Sequence, residues 1–381
     1  MLLAAGSAFA DGGVTFSDIA AGGANGLHYS RVPSARYQTF LADIANGFMD
    51  VPTEYRPAPM KPYGAPGVAL FDYDGDGDLD IFVTNGPGRG NSLFKNLLKE
   101  TGHLQFVDVA SQAGVALTGF DSQGVCFGDI DNDGNEDLLV LGYEGNHLFH
   151  NLGNGKFKDI TASSGIGGST NTSVSCSMGD INGDGLIDIV IANTFDFAHM
   201  NAITGEPLIH DQHNQVLINR GHNVFQDVSD SSGIKDIEGI PTPGAALITW
   251  AIALVDLDQD GNLDVVLSND QRTYNFVPPN VGFNRFFRND GTGHFTDVTA
   301  EVHLDRPGSW RGLAFGDLNC DGKLDLFATN IGDYVFFAGT NPVGKWSSAW
   351  FFGQADGTFQ LGPPGSLVTV PIGWGAAIAD Y

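Results

Sequence analysis

A nine-residue acidic pattern, read first at Asp72-Tyr-Asp-Gly-Asp-Gly-Asp-Leu-Asp80, limits this chain more than any other stretch. Acids fall at positions 1, 3, 5 and 9, glycine stands at position 6, and the apolar run Ile81-Phe-Val83 follows at once. Carboxylates at alternate positions of a tight loop converge on one point, and a hard cation makes that charge density tolerable. Oxygen-only ligands with glycine at the sharp bend point to calcium ahead of any transition metal. Asp72, Asp74, Asp76 and Asp80 are the expected side-chain ligands, and Asp78 the expected carbonyl ligand.

The pattern recurs four more times. The second copy expects side-chain ligands at Asp129, Asp131, Asp133 and Asp137, with the carbonyl of Asn135. The third has Asp180, Asn182, Asp184 and Asp188, with Leu186 at the carbonyl position. The fourth has Asp256, Asp258, Asp260 and Asp264 with Asn262, and the fifth Asp317, Asn319, Asp321 and Asp325 with Lys323. A sixth opens at Gly375-Ala-Ala-Ile-Ala-Asp380-Tyr381, matching Gly67-Val-Ala-Leu-Phe-Asp72-Tyr73. Position 12, where an EF-hand places its bidentate glutamate, holds Val83, Val140, Ile191, Leu267 and Ala328, so the helical calcium loops are excluded.

Each copy carries further β signals. A buried-type strand follows the loop, then a third strand such as His147-Leu-Phe-His-Asn151 or Arg285-Phe-Phe-Arg-Asn289. A glycine turn leads to a fourth strand such as Phe157-Lys-Asp-Ile160 or Phe295-Thr-Asp-Val298. Four strands per unit, with loops starting 51 to 76 residues apart, imply an all-β fold, a β-propeller of four-stranded blades. The expected division is residues 1–10 as the end of a signal peptide, 11–66 as a closing strand with a long insertion, and 67–381 as the repeats. Phe16-Ser-Asp-Ile19 has the fourth-strand signature without a preceding acidic loop, as a strand closing the last blade would.

These motifs resemble the FG-GAP/VCBS repeats of integrin α-subunit propellers. They are similar in particular to those of the secreted cartilage-acidic-protein-like (ASPIC/UnbV-type) group, whose repeats pair Phe-x-Asp-Val-Thr with the calcium loop. Phe295-Thr-Asp-Val-Thr299 and Phe157-Lys-Asp-Ile-Thr161 carry the match best; Phe225-Gln-Asp-Val-Ser229 and Phe106-Val-Asp-Val-Ala110 are looser. The resemblance implies a seven-bladed ring, of which five repeats and the opening of a sixth are expected here, so the chain reads as a fragment.

Composition agrees with this class. Among 381 residues, 52 glycines and 27 phenylalanines favour short strands and tight turns over helices. The net charge of −27 argues against nucleic acid or an anionic membrane as partner. Twenty of the 45 acids lie in the five loops, so much of the charge has a local explanation. With only Cys126, Cys176 and Cys320, no disulfide framework is expected; the first two read as small core residues. The run Leu2–Ala10 ends in Ala-x-Ala, and an exported, extracellular or periplasmic protein is expected.

Strand order separates two faces. The acidic loops join first to second strands. The long insertions, 22–66, 194–214, 233–249, 270–284 and 331–348, fall in second-to-third or fourth-to-first connections and so gather on the opposite face. That face is where a protein or glycan ligand is expected. His199, His210, Asp211 and His213 form the one candidate for a second metal, and solvated loop histidines are the plainer reading. Arg272, Tyr274, Trp310, Arg311, Trp346 and Trp374 make either a patch at the channel mouth or packing between blades. No nucleophile motif or phosphate loop appears. The leading expectation is a calcium-binding adhesion or recognition module; the alternative is an extracellular lyase or hydrolase acting on a carbohydrate or small metabolite at the insertion face.

Overall fold

The computed structural model describes residues 25–31, 66–86, 88–143, 145–168, 171–200, 207–235, 248–270, 283–306, 308, 310–330, 348–363, 375, 376 and 378. Twenty of its strands make five four-stranded antiparallel sheets, each in simple up-and-down order. The first blade holds β1 (Val68–Phe71), β2 (Asp80–Val83), β3 (Ser92–Asn96) and β4 (Phe106–Asp108), and the second β5 (Ser122–Gly128), β6 (Asp137–Gly142), β7 (Gly145–Asn151) and β8 (Phe157–Asp159). In the third, β9 (Ser173–Gly179) and β10 (Asp188–Asn193) precede a separate hairpin, β11 (Phe195–Met200) with β12 (Pro207–Asp211). That blade ends with β13 (Gln215–Asn219) and β14 (Phe225–Asp227). The fourth has β15 (Ile248–Val255), β16 (Asp264–Asp270), β17 (Arg285–Asn289) and β18 (Phe295–Asp297); the fifth has β19 (Trp310–Gly316), β20 (Asp325–Asn330), β21 (Ala349–Gly353) and β22 (Phe359–Leu361). The hairpin inside the 194–214 insertion has no counterpart in the sequence reading.

First strands lie innermost. β1 packs against β5, β5 against β9, β9 against β15, and β15 against β19, so successive blades follow one another around a common axis. The core lies between sheets rather than inside any one of them. Phe71, Phe82 and Leu93 of the first blade pack with Leu138, Val140 and Phe149 of the second, all at most 2% exposed. Ile189 and Ile191 meet Leu139, Leu141 and Leu148 at the next junction. Because a blade's two faces meet two neighbours, its second strand is buried on both sides. This is why Leu138–Leu141 and Ile189–Ala192 read as continuous apolar runs.

The Phe-x-Asp-Val-Thr motif has a physical account. The phenylalanine is buried in every blade (Phe106, Phe157, Phe225, Phe295 and Phe359). The aspartate caps the turn that follows: Thr161 N donates to Asp159 Oδ1 at 2.9 Å, and Thr299 N to Asp297 Oδ1 at 3.1 Å. The hydroxyl two residues on then accepts a strand-three amide, as Leu148 N to Thr161 Oγ1 and Phe286 N to Thr299 Oγ1, both 3.0 Å. In the first blade alanine replaces the hydroxyl residue, and Leu93 N reaches Asp108 Oδ1 directly at 3.3 Å.

Blades one to four each hand over to the next through a left-handed residue, Gly114, Gly165, Gly233 or His303. Gly233 has φ of +82°, and a Cβ there would stand 2.1 Å from Phe295 O. Gly26 does the same against blade one, with φ of +86° and a Cβ position 2.0 Å from Phe106 O, while Phe106 N donates to Asn25 O at 2.7 Å. Residues 25–27 therefore meet blade one as 232–234 meet blade four. The Phe16–Ile19 signature itself, the signal-type run and most of the insertions lie outside the described residues.

One expectation is overturned. Cys126 of β5 and Cys176 of β9 form a disulfide, with Cα atoms 6.0 Å apart, joining the inner strands of the second and third blades. They stand three and four residues before the first acid of their loops, which places them at nearly the same height on adjacent strands. Cys320 is free and exposed.

Candidate functional site: the acidic loops

All five acidic loops take one shape, set by their own carboxylates. The position-1 aspartate turns the chain by accepting backbone amides. Asp76 N and Gly77 N donate to Asp72 at 3.1 and 2.8 Å, and Asp260 N and Gly261 N donate to Asp256 at 2.9 and 3.0 Å. Position 5 then accepts the amide of position 7, as Asn135 N to Asp133 Oδ1 at 2.9 Å. The glycine at position 6 is required, since φ there runs from +82° to +96° across the loops.

Position 9 does something the sequence reading did not assign. Asp80, Asp137, Asp188, Asp264 and Asp325 are wholly buried and open the second strand, one residue earlier than the apolar run suggests. Each accepts two backbone amides. Asp137 Oδ2 takes Ile130 N at 3.1 Å and its Oδ1 takes Asn151 N at 2.7 Å. Asp264 is engaged likewise by Leu257 N at 3.3 Å and Asn289 N at 2.9 Å. The carboxylate therefore ties its loop to the end of strand three, whatever else it binds. Burial pushes the carboxyls of Asp80 and Asp264 up to about 7 and those of Asp137 and Asp188 up to about 6, with the paired amides pulling back.

The residue ending strand three extends this lock to the neighbouring blade. Asn289 Nδ2 donates to Leu263 O in its own blade at 2.9 Å and to Ile181 O in the preceding loop at 2.8 Å. Asn219 bridges Ile187 O and Ile130 O, and Asn151 bridges Glu136 O and Tyr73 O, in the same way. In the fifth blade Gly353 stands at this place, because a Cβ there would lie 2.4 Å from Leu324 O.

The loops with aspartate at position 3 bring their acids together. Carboxylate oxygens of Asp72, Asp74 and Asp80 lie within 4.8 Å of one another, as do those of Asp129, Asp131 and Asp133, and of Asp256, Asp258 and Asp260. In each, the Oδ1 of the position-3 aspartate, Asp74, Asp131 or Asp258, is buried without a hydrogen-bond partner. A buried carboxylate oxygen with no donor is costly, and a bound cation removes that cost. These residues fit a metal ion. Loops three and five place Asn182 and Asn319 at position 3 and form no such group among the described residues.

A basic side chain, overlooked in the sequence, reaches the other oxygen. Lys95 Nζ pairs with Asp74 Oδ2 and lies 3.1 Å from Asp76 Oδ2; Arg288 Nε lies 2.7 Å from Asp258 Oδ2. His150 Nδ1 stands 3.5 Å from Asp131 Oδ2 and 3.0 Å from Asp137 Oδ1. All three occupy the penultimate position of strand three, so the signal was present in Lys95-Asn96, His150-Asn151 and Arg288-Asn289.

At the opposite ends of the blades, asparagines clamp the roots of the second-to-third connections. Asn85 N donates to Asn91 Oδ1 at 2.8 Å, and Asn193 N to Asn214 Oδ1 at 3.0 Å. Trp310 is fully buried between the fourth and fifth blades, which is the packing alternative. Arg311 lies over the Trp250 ring at 4.7 Å. Arg272, Tyr274, Trp346 and Trp374 lie outside the described residues, as do the side chains of His199 and His210. His213 is half-buried, and its carbonyl accepts Asn193 Nδ2 at 2.7 Å.

Up-and-down four-stranded blades with acidic first-to-second loops define an acidic-loop type of repeat propeller. A family model described as the FG-GAP-like repeat matches residues 72–140, 129–191 and 256–328, just over half of the chain. The chain belongs to the FG-GAP-like repeat family. Cartilage acidic protein 1 of Xenopus tropicalis is 27% identical over 303 residues, covering 73% of this chain and 42% of that protein. The human protein of the same name is 26% identical over 289 residues, covering 69% and 39%. The chain thus spans about two fifths of the curated relatives it matches. Among solved structures, an Agrocybe aegerita lectin that recognises non-reducing terminal N-acetylglucosamine aligns at a TM-score of 0.42 and 17% identity, covering 83% of this chain and 69% of that one. No described helix is long and apolar enough to cross a membrane.

Proposed function

We propose that this chain is an exported recognition propeller whose blades are locked by calcium at the acidic loops and whose ligand, a protein or glycan, meets the face carrying the insertions. The observation behind the calcium reading is the buried, unpartnered Oδ1 of Asp74, Asp131 and Asp258 inside clusters of carboxylates, with His150 also beside Asp131 and Asp137 in loop two. Hard oxygen ligands on a flexible loop suit calcium over zinc or copper. At about 2 mM calcium and a Kd of about 0.1–1 mM, each site stabilises by roughly 0.6–1.8 kcal/mol. Over five loops that is comparable with the whole net stability of a domain. The Cys126–Cys176 disulfide supports an oxidising compartment, as does similarity to cartilage acidic proteins.

Recognition on the insertion face is supported by the contrast between loop geometry repeated from blade to blade at one end and connections of unequal length at the other. A thermal melt with and without a chelator tests the calcium part: EDTA lowers the melting temperature steeply, and an unchanged melt removes the reading. The enzyme alternative keeps its own test. Stoichiometric zinc, copper or iron after calcium removal, lost on replacing His210 and His213, favours it.

A further inference from the structure

The five loops fall into two kinds. Loops one, two and four have aspartate at position 3, and the penultimate residue of strand three is Lys95, His150 or Arg288. Loops three and five have Asn182 and Asn319 at position 3, and the matching strand residues are Ile218 and Phe352. A basic or imidazole group appears where position 3 is an acid, and an apolar one where it is an amide.

We propose that Lys95 and Arg288 are internal counterions: each holds the outer oxygen of its position-3 aspartate, leaves the buried inner oxygen for the ion, and sets how tightly its loop binds calcium. The proposal rests on the calcium reading above. Its geometry is clearest in loop four. Arg288 Nε takes Asp258 Oδ2 at 2.7 Å, its Nη1 reaches Glu301 Oε1 at 3.3 Å, and Asp258 Oδ1 is buried without a partner. In loop two Asn223 Nδ2 of the next blade donates to the outer oxygen of Asp131 at 3.0 Å, while the His150 ring hydrogen-bonds to position-9 Asp137 at 3.0 Å and stands 3.5 Å from Asp131. In loop three the corresponding place is open: Asn182 and Ile218 line a cavity of about 190 Å³ together with Arg220 and His294.

Charge gives the pairing its purpose. Within the nine loop residues, loop four carries four acids and Arg288 brings that sum to −3, the value loop three reaches with Asp180, Asp184 and Asp188 alone; loop one, with five acids and Lys95, stands at −4. Without the ion, a loop with a fourth acid would hold one more uncompensated charge; the tethered cation supports the empty loop. With the ion bound, the same positive charge opposes it and weakens binding. The strand residue therefore trades calcium affinity against stability of the calcium-free blade.

The test uses the full chain with Arg288→Ile, Asp258→Asn, the double variant and Arg288→Lys. Two readouts are taken: melting temperature in EDTA and in saturating calcium, and a calcium titration followed by hydrogen exchange of the peptide covering 254–266. That peptide reads loop four alone, and the peptide covering 178–190 serves as the loop-three reference. Arg288→Ile is expected to lower the EDTA melting temperature by about 2–5 °C. The gap closes in calcium, and the loop-four midpoint falls about three- to tenfold. The double variant copies loop three and is expected to recover the EDTA melt and a midpoint near wild type; Arg288→Lys stays near wild type throughout.

An equal loss in EDTA and calcium would mean packing alone and overturn the proposal. A midpoint that rises, or a double variant no better than Arg288→Ile, would overturn it too. A wild-type chain without calcium response at either peptide would instead bring down the calcium reading itself, and the counterion role with it.

Discussion

The two ends of the blades obey different rules. At the acidic end, every loop repeats one arrangement: position 1 folds the turn and position 9 docks it to strand three, and in blades two to four an asparagine also clamps it to the preceding blade. At the other end only the roots repeat. Asn85 with Asn91 encloses a short connection, while Asn193 with Asn214 encloses one long enough to hold its own hairpin. A change at the acidic end alters blade spacing as well as a loop. Neighbouring blades are hydrogen-bonded at both ends, as Thr84 Oγ1 to Gln123 O at 2.7 Å and Asn214 Nδ2 to Thr249 Oγ1 at 3.0 Å show for the insertion end; what differs is how closely the connections repeat.

Four outcomes sharpen that contrast, from the largest effect to the smallest. Replacing Cys126 and Cys176 by alanine removes a staple spanning 50 residues and is expected to cost about 4 kcal/mol, read by denaturant melts. Because the staple lies between inner strands and belongs to neither end, the loss should be the same with and without calcium. Asn289→Ala at the acidic end frees one buried and one half-buried carbonyl and is expected to cost about 2–3 kcal/mol. An effect under about 0.5 kcal/mol would show that the clamp between blades does little.

The third outcome concerns pH. Asp80, Asp137, Asp188 and Asp264 have folded pKa values raised by burial to about 6–7 from an ordinary 3.8. A carboxyl raised on folding contributes stability that is complete below its unfolded pKa and is lost as pH rises through its folded value. The calcium-free chain should therefore melt higher at pH 5 than at pH 8. Calcium holds the carboxylates ionised, so the calcium-induced gain in melting temperature should grow over the same range. A calcium-free melt that rises from pH 5 to pH 8 would contradict the burial of these groups. Fourth, replacing residues 271–282 at the other end by a short glycine-serine linker should change stability by less than about 1 kcal/mol. Ligand capture by that face is where the loss should appear.

Much of the acidic end was legible beforehand because its spacing is fixed by the loop itself. Once Asp72 to Asp80 is read as one turn, Asp129, Asp180, Asp256 and Asp317 follow by register, and the apolar runs after them must be strands. Contacts between repeats were harder. The Cys126–Cys176 bond depends on the heights of two neighbouring inner strands, which no single repeat reveals; only aligning repeats on their first acids brings the cysteines together. Asp80 and its equivalents looked like ligands alone, whereas burial at the head of strand two commits both their oxygens to backbone amides. Lys95 and Arg288 read as ordinary strand residues because their partners sit some twenty to thirty positions earlier. At the insertion end the connections share no pattern, so a sequence period could place them on a face without giving their shape.

Calcium stoichiometry tests the central claim most directly. After equilibrium dialysis against millimolar calcium, elemental analysis of the full chain should find about five calcium ions per chain, one for each acidic loop. Substituting Asp72 and Asp74 together should reduce the count by about one. A chain that retains no calcium, or that keeps the same count after that substitution, would contradict the assignment of these loops as calcium clips.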